Sequence, residues 1–556
     1  MGRLITVRDV EERPADAGAI VFNRTDIVTP AALDRVRELG LDVQWVDTDP
    51  LLSETPARLM AELRERIERV VTAIAAGGVD GDEDHFVDAV LDQLRSEVPS
   101  IPNPRTVSQR LAAFAVDVMD RGVAPEVAHE AKRLLLNNLK ASVGAMDHAA
   151  VAAVRGFVAG LGTAKRPARV LWHGDLYASE LAALVNSVQM EVLDFNETYV
   201  PTYVHTAAAV APAVMAEAEA RGRSGHDLLA ALAIGIEVEL TVSEMLMPSH
   251  YVRGFNPTAT TGAVGAAAGC AVLGGRDVAQ VANALGIAMN TAGGLFEAIG
   301  SMGWPYSAAN AARTGVMAAR LAGSGLVTAP TTFEGEKGMF VAYSDEDPAK
   351  LPALLDGLGD EWRMMRAGYK RFQAETIDQA PLESVLTIRG RTQEPRGDVT
   401  RMRFSVEPVV AAVADERYRR FGSPQDDLQA TFDLRYVMAA AWVLGRTGGD
   451  VYDEVHYRDP AILELRDRIE VVADPTITLD GAALEIEFAD GTRQDARIDS
   501  WQGSAANPMS DSQLSELFLE AAAGHIPRHR AEDVVDAVFA THTFSSVDRL
   551  TRRIVR

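Results

Sequence analysis

The segment Asp194-Phe195-Asn196-Glu197-Thr198-Tyr199, followed by His205, is the densest polar cluster in the chain and lies between two apolar stretches that read as helices. Such a loop can set a carboxylate, a hydroxyl and an imidazole around one small molecule. Dehydration, decarboxylation and epimerisation beside a carboxylate all require a proton to move at carbon, and the resulting enediolate charge must be stabilised. Imidazole titrates near neutrality, so His205 is the candidate proton carrier. The same residue types also fit a simpler reading, with Asp194 and Thr198 as helix caps and His205 as a hydrogen-bonded histidine at a helix start.

Further along, His250, Tyr251 and Arg253 precede Gly254-Phe255-Asn256-Pro257-Thr258. An arginine there can grip a carboxylate through paired N–H donors, or simply face solvent. Asn256 can hydrogen-bond a substrate but cannot relay a proton at neutral pH. Other chemistries find no footing. GAVGAAAG lacks dinucleotide-loop spacing and reads as helix packing; Walker, H-E-x-x-H and G-x-S-x-G motifs are absent. The single cysteine, Cys270, rules out an intrachain disulfide and argues against a structural zinc or iron–sulfur site. Neither a metal nor an organic cofactor is expected.

The elements that must hold these groups follow from patterning. The 556 residues carry a formal net charge of −25, which disfavours nucleic acid and anionic membranes as partners. An anionic substrate would then need a local cation cluster or helix N-terminus. The N-terminus lacks a signal-peptide core and no long uninterrupted apolar run stands out, so the expected location is the cytoplasm. Residues 1–105 read as a small α/β extension: strands at Ala19–Phe22 and Leu41–Val46, a helix from Ala31 to Leu39 capped by Thr29-Pro30, then helices over 55–76 and 83–97. The IVTPAA…RELGLDV stretch resembles a short module of some bacterial microcompartment-associated proteins and reads equally as a generic strand–helix–strand; an assembly partner through this extension belongs to the reading as a catalytically degenerate member. PSIPNPR marks a boundary near 105. Residues 106–343 are helical almost throughout, with helix starts at Ser224-x-x-Asp227 and Asp277, and with Gly/Ala runs that let helices approach closely. Residues 344–503 change texture to α+β: strand-like alternation in ESVLTIRGR, DVTRMRFSVEP, RIEVVADPTITL and ALEIEFADGT, with a helix in FDLRYVMAAAWVLG. Residues 504–556 turn helical again and rejoin the helical part. The fold class expected is mostly α with an inserted α+β domain.

Several segments, in order, resemble the MmgE/PrpD family: LAAFAVDVMDRGVAPEVAHEAKRLLLNNLKASVGA, VNSVQMEVLDFNETYVPTYVHTAAAVAPAV, HYVRGFNPTATTGAVGAAAG, YKRFQAETIDQAPLESVL, ATFDLRYVMAAAW and SAANPMSDSQLSELF. The resemblance implies an all-α domain with an α+β lid, an active site between them, and a homodimer. It implies that Asp194, Thr198 and His205 line the pocket, that Lys370 is a lid lysine, and that Tyr436 faces the pocket, with Tyr199 beside the site. It also exposes departures. Asn256 stands where the family usually has a catalytic histidine. Trp304 and Ser307 stand where it commonly has a lysine and then a histidine. Ile377 replaces another histidine, and Arg435 replaces an uncharged residue. Arg313 is a possible substitute cation for the lost lysine.

The reading is a cofactor-independent lyase, a dehydratase or decarboxylase, on a small carboxylic or polycarboxylic acid. His205 acts as acid/base and Asp194 orients it, while Thr198, Tyr436 and Lys370 bind substrate; Tyr199, Arg253, Asn256, Trp304, Ser307 and Arg435 complete the set. Two alternatives stay open. One is an isomerase or epimerase on the same scaffold, which needs no leaving group protonated. The other is a catalytically degenerate member with an assembly role.

Overall fold

A computed structural model describes residues 106–556 apart from Thr163 and 392–398, together with four short strands within the first 104 residues. The chain divides into two units, Met1–Pro104 and Arg105–Arg556. In the first, strands β1 (Leu4–Ile5) and β3 (Ile27–Val28) pair in parallel, as do β2 (Ala19–Asn23) and β4 (Asp42–Val46). The helices expected at 31–39, 55–76 and 83–97 lie outside the described residues.

The second unit is built on two separate apolar cores. The larger belongs to helices: Val107–Arg121, Pro125–Ala145, Ser179–Glu191, Val210–Arg221, Gly225–Leu246, Pro257–Leu273 and Gly303–Gly323, with Asp511–Ala522 and Arg528–Phe539 returning from the C-terminus. Sequence signals for their ends hold. Ser224 accepts from the Asp227 N–H and Asp227 answers the Ser224 N–H, a reciprocal capping box, and Asp277 caps the Val278–Thr291 helix. The Gly/Ala run is packing, as expected. A β-carbon on Gly265 would stand 2.5 Å from the Gly235 carbonyl oxygen, and one on Gly269 2.7 Å from that of Ala231. The two helices therefore touch backbone to backbone. A short two-stranded ribbon, β5 (Ala168–Arg169) with β6 (Leu176–Tyr177), interrupts the helical region.

The smaller core lies under a four-stranded sheet in the order β10-β9-β7-β8, formed by β7 (Val399–Val406), β8 (Ile469–Ala473), β9 (Ala482–Phe488) and β10 (Arg493–Ile498). Strand β7 pairs parallel to β8 and antiparallel to β9. Met402, Phe404 and Val406 alternate inward along β7, as do Leu484, Ile486 and Phe488 along β9. Helices Gln379–Gly390 and Leu434–Leu444 pack together against this sheet, and Pro408–Phe421 packs beside β8. ESVLTIRGR, read as a strand from its alternation, is instead most of the Gln379–Gly390 helix. Its buried residues Leu382, Val385 and Ile388 recur at three-residue steps, and that helical period outweighs the short alternating run.

A third, small cluster of Ile299, Trp304 and Phe432, with Phe296 and Phe421 packed on it, joins residues of the helical part to residues of the sheet part. No described helix is long and apolar enough to cross a membrane.

Candidate active site

The Ser179–Glu191 helix ends three residues before Asp194, and Val210–Arg221 begins five after His205. Between them the chain is irregular yet buried. Asp194 and Tyr203 adopt left-handed backbone conformations, φ +48° and +56°. Such conformations are uncommon outside glycine and cost about 1–3 kcal/mol each, so neighbours must enforce them. One neighbour is the segment entering the sheet part: the Thr198 N–H donates to the Gly368 carbonyl and the Gly368 N–H donates back to Thr198, both at 2.9 Å.

This loop places His205 between two carboxylates. Its Nδ1 lies 2.9 Å from Glu191 Oε1, and its Nε2 lies 3.3 Å from Asp194 Oδ1. The His205 backbone N–H donates to Thr258 Oγ1 at the start of the Pro257–Leu273 helix. Asn196 holds the far oxygen of Glu191 at 2.7 Å. Burial works to lower the imidazole pKa, but Glu191 and Asp194 work the other way, and against Lys370 as well they leave it above its ordinary value. His205 is thus a protonated or readily protonated group that is almost wholly buried.

Lys370 supplies the balancing charge. Its Nζ donates to the Asp194 carbonyl at 2.7 Å and lies 3.1 Å from Asp194 Oδ2, with no exposed surface. Beneath it, Lys140 donates to the Lys370 carbonyl at 2.9 Å, lies over the Phe195 ring, and is held well below its usual pKa by burial. Two nearby carboxyls carry the opposite shift. Burial raises Asp378 well above the carboxylate range, with the Asp194 charge adding to it. Burial likewise raises Glu239, with Glu197 and Glu191 adding. Ligating atoms of Glu191, Asp194 and His205 lie within 4.8 Å of one another, a spacing a metal could use. Of these three residues, Asp194 is also engaged by Lys370, at 3.1 Å from its Oδ2.

A small cavity opens over this set. Asp194, Thr198 and His205 line it from the helical side, and Glu375, Thr376 and Arg417 from the sheet side. Thr198 and Thr376 hydroxyls meet at 2.7 Å across the seam. Arg417, on the Pro408–Phe421 helix, is 4% exposed, pairs with Glu375 and faces the Phe432 ring. Burial lowers its pKa to about 10, which still leaves it charged at neutrality. The remaining wall is apolar and aromatic, including Phe296, Trp304, Val410 and Phe432. Tyr203 and Tyr251, 5.2 Å apart between ring centres, line it too; burial pushes the Tyr203 phenol up to about 12.

The expected site residues divide. Asp194, Thr198, His205, Asn256 and Trp304 line the cavity, and Ile377 lines it where a histidine would otherwise stand. Ser307 touches Asn256, and Lys370 reaches Asp194 from behind. Four others are placed elsewhere. Tyr436 is buried in the sheet-side core with its hydroxyl donating to the Val451 carbonyl. Arg435 pairs with Asp415 and donates to the Ile469 carbonyl at 3.1 Å, so it braces the sheet and is no anion clamp. Arg253 is spent on Asp345 at 2.7 Å, near the surface. Tyr199 points into the helical core, donating to Glu244 at 2.5 Å. Arg313 holds Asn310 at 2.8 Å and is not among the residues lining the cavity, so it does not replace the lost lysine.

Two residues of the site were missed. Glu191 is the last residue of its helix and Asp194 follows in an irregular left-handed turn, so no regular spacing in the sequence pairs the two. Arg417 is one of three arginines in ERYRRF. Only its step from Val410 and Val413, which puts it on the same helical stripe, marks it as the inward one.

A helical body and a sheet layer packed against it enclose a buried histidine–carboxylate set at their seam. The MmgE/PrpD N-terminal domain matches residues 109–352 and the MmgE/PrpD C-terminal domain matches residues 372–541, so the chain belongs to the MmgE/PrpD family. Among its relatives are the cis-aconitate decarboxylase of Homo sapiens, 25% identical over 64% of this chain and 75% of the relative. Those of Mus musculus (25%, over 67% and 77%) and Aspergillus terreus (23%, over 69% and 81%) are similar to it as well.

Proposed function

We propose that this chain is a lyase that moves a proton at the carbon beside a carboxylate of a small organic acid, with His205 carrying the proton. The observation that carries the reading is the placement of His205 on the cavity wall between Glu191 and Asp194. Glu191 fixes the tautomer by accepting from Nδ1, which leaves Nε2 and its partner Asp194 as the reactive end. In the neutral form this pair takes a proton from carbon; in the charged form it returns one. Arg417 supplies the positive charge that an enediolate requires. Decarboxylase relatives support a lyase over a hydrolase or a transferase. An epimerase is the second reading, supported by the Tyr203 and Tyr251 phenols as further proton carriers on the cavity wall.

Proton NMR in deuterated water, with a panel of short carboxylic and hydroxy acids, tests the assignment. A lyase gives a new alkene or carbon dioxide, with both product and exchange abolished by His205→Asn. Deuterium incorporation without elimination selects the epimerase. Turnover that survives His205→Asn refutes the role of His205, and silence throughout refutes the enzymatic reading.

A further inference from the structure

Two phenols face the cavity without a bond of their own. Tyr203 and Tyr251 both line it, and among the described residues neither hydroxyl has a hydrogen-bond partner. Neither oxygen is sealed in: the fully enclosed side-chain atoms that lack a partner do not include them, so each keeps surface toward the space its residue lines. A phenol set into a protein wall ordinarily finds a partner for its O–H. Two that stay unbonded beside a histidine–carboxylate pair are donors at the disposal of a ligand.

The fold holds the two together and beside Arg417. Their ring centres lie 5.2 Å apart, and Tyr251 stands edge-on to Phe296 at 4.7 Å. Tyr251 sits on the short helix Ser249–Val252, which its neighbour His250 anchors: the His250 Nδ1 donates to the Tyr343 carbonyl at 3.0 Å and the ring stacks on Phe255 at 4.7 Å. Tyr203 belongs to the same loop as Asp194 and His205, and its left-handed backbone is a strain that the surrounding structure enforces. The Arg417 charge works to lower the Tyr251 pKa, and burial outweighs it; Tyr251 in turn works to raise that of Arg417. Phenol and guanidinium therefore stand within electrostatic reach of each other on one wall. With Tyr203 pushed up to about 12 and Tyr251 raised as well, both phenols keep their protons at neutral pH and act as donors, not as bases.

We propose that Tyr203 and Tyr251 are catalytic residues whose hydroxyls, with Arg417, hold the two oxygens of the substrate carboxylate and stabilise the negative charge that gathers there when His205 takes the neighbouring proton. The proposal rests on the proton-transfer reading of the site and supplies its other half. The carbon–hydrogen bond breaks, the proton passes to His205, and the electron pair spreads onto the two carboxylate oxygens. Both phenols donate to those oxygens and keep their own protons throughout. A donor that meets charge developing only in the transition state speeds the reaction more than it tightens the substrate. Arg417 and the phenols thus divide the work: the cation binds the acid, and the phenols lower the barrier.

Two probes titrated calorimetrically into the full chain read this donor set. Ethane nitronate, the anion of nitroethane, copies the planar enediolate of propanoate, and its oxygens are more basic than those of propanoate itself. The nitronate should bind tighter than propanoate by about tenfold or more. Tyr203→Phe and Tyr251→Phe should each cut that preference to within about threefold while propanoate affinity moves by less than about threefold. Since neither hydroxyl is bonded within the protein, the thermal midpoint of both variants should stay within about two degrees of the parent. No nitronate preference in the parent, or one that survives both substitutions, overturns the proposal. So does a lowered midpoint with both probes lost together, the mark of a structural role. Turnover is read separately, on an acid of the panel that reacts: each phenylalanine variant should lose about 100- to 1,000-fold in kcat at nearly constant KM. Exchange that stops outright in one variant with the nitronate preference intact makes that phenol a proton carrier and overturns its role as a donor. A preference lost in the variants without any His205-dependent exchange sinks the lyase reading and leaves the donor set. Exchange that depends on His205 but on neither phenol does the reverse.

Discussion

Glu191→Gln removes one charge and keeps the shape, and its consequence is set by the geometry around His205. The carboxylate of Glu191 stands 2.9 Å from Nδ1 and is the foremost influence raising the imidazole pKa. Two unit charges about 4 Å apart interact by about 4 kcal/mol at an effective dielectric of 20, so losing the Glu191 charge removes a large share of what holds the proton. The glutamine oxygen still accepts a hydrogen bond, and Asp194 still faces Nε2 at 3.3 Å, so part of that effect survives. The expected change is a clear fall in the His205 pKa. The sign for stability follows from the same shift. In the parent protein the folded pKa lies above the unfolded one, so the contribution of this group is fully present below the unfolded pKa near 6.5 and is lost as pH rises through the folded value. In the variant that contribution is absent or reversed, and the loss of stability between neutral and mildly alkaline pH flattens. The assay is nitrogen-15 NMR titration of the histidine side chains, with the His205 resonance assigned by its disappearance in His205→Asn. The acid limb of the rate profile should shift down in parallel. A His205 pKa that stays put or rises in Glu191→Gln would refute the electrostatic argument.

Arg417→Gln should raise KM by roughly 10- to 100-fold while the fold persists, since a charge-assisted contact to substrate is replaced by a neutral one; initial-rate kinetics beside circular dichroism checks this. Lys370→Met strands the buried Asp194 charge and should cost about 3–5 kcal/mol in urea unfolding, against about 1 kcal/mol or less for a surface lysine. Gly265→Ala places a β-carbon 2.5 Å from the Gly235 carbonyl and 2.7 Å from Glu239 Cβ, so thermal unfolding should report a loss of about 1–3 kcal/mol. Tyr436→Phe loses only the hydrogen bond to the Val451 carbonyl. It should cost about 1 kcal/mol and leave kcat/KM within about twofold, because this side chain is in the sheet-side core and not on the cavity.

The helical half was legible in the sequence because its signals are local. The Ser224–Asp227 capping box and the Asp277 cap mark helix starts, and glycines at 262, 265 and 269 mark a face where helices touch. Strands β7, β8 and β9 were legible from alternation. The same rule misread Glu383–Arg391, a stretch too short to separate a period of 2 from one of 3.6. For the site, Asp194, Thr198 and His205 cluster within twelve residues and could be seen together. Arg417 arrives from a helix more than two hundred positions later, and only its helical step from Val410 and Val413 separates it from Arg419 and Arg420. Tyr436 and Arg435 show the converse. They occupy positions next to a recognisable motif, but which way a helical side chain points depends on the sheet it packs against. In this chain Arg435 turns toward β8 and its carbonyl oxygens.

The distance in sequence between His205 and Arg417 has a consequence for how the molecule is made. A ribosome adds about 5–20 residues each second, so the loop bearing His205 emerges roughly 10 to 40 s before the arginine that completes the cavity. During that interval Asp194 also awaits Lys370, and the nascent helical half carries Glu191, Asp194, Glu197 and Glu239 without the ammonium that later offsets Asp194. Those carboxyls can wait at little cost only by holding protons or staying wet, so the loop between Glu191 and Val210 is expected to remain open to solvent on the ribosome. It would close as the residues after Gly368 arrive and the paired Thr198–Gly368 bonds form. The loop that carries His205 is thus the first part of the site to be synthesised, and it is expected to be among the last to be buried.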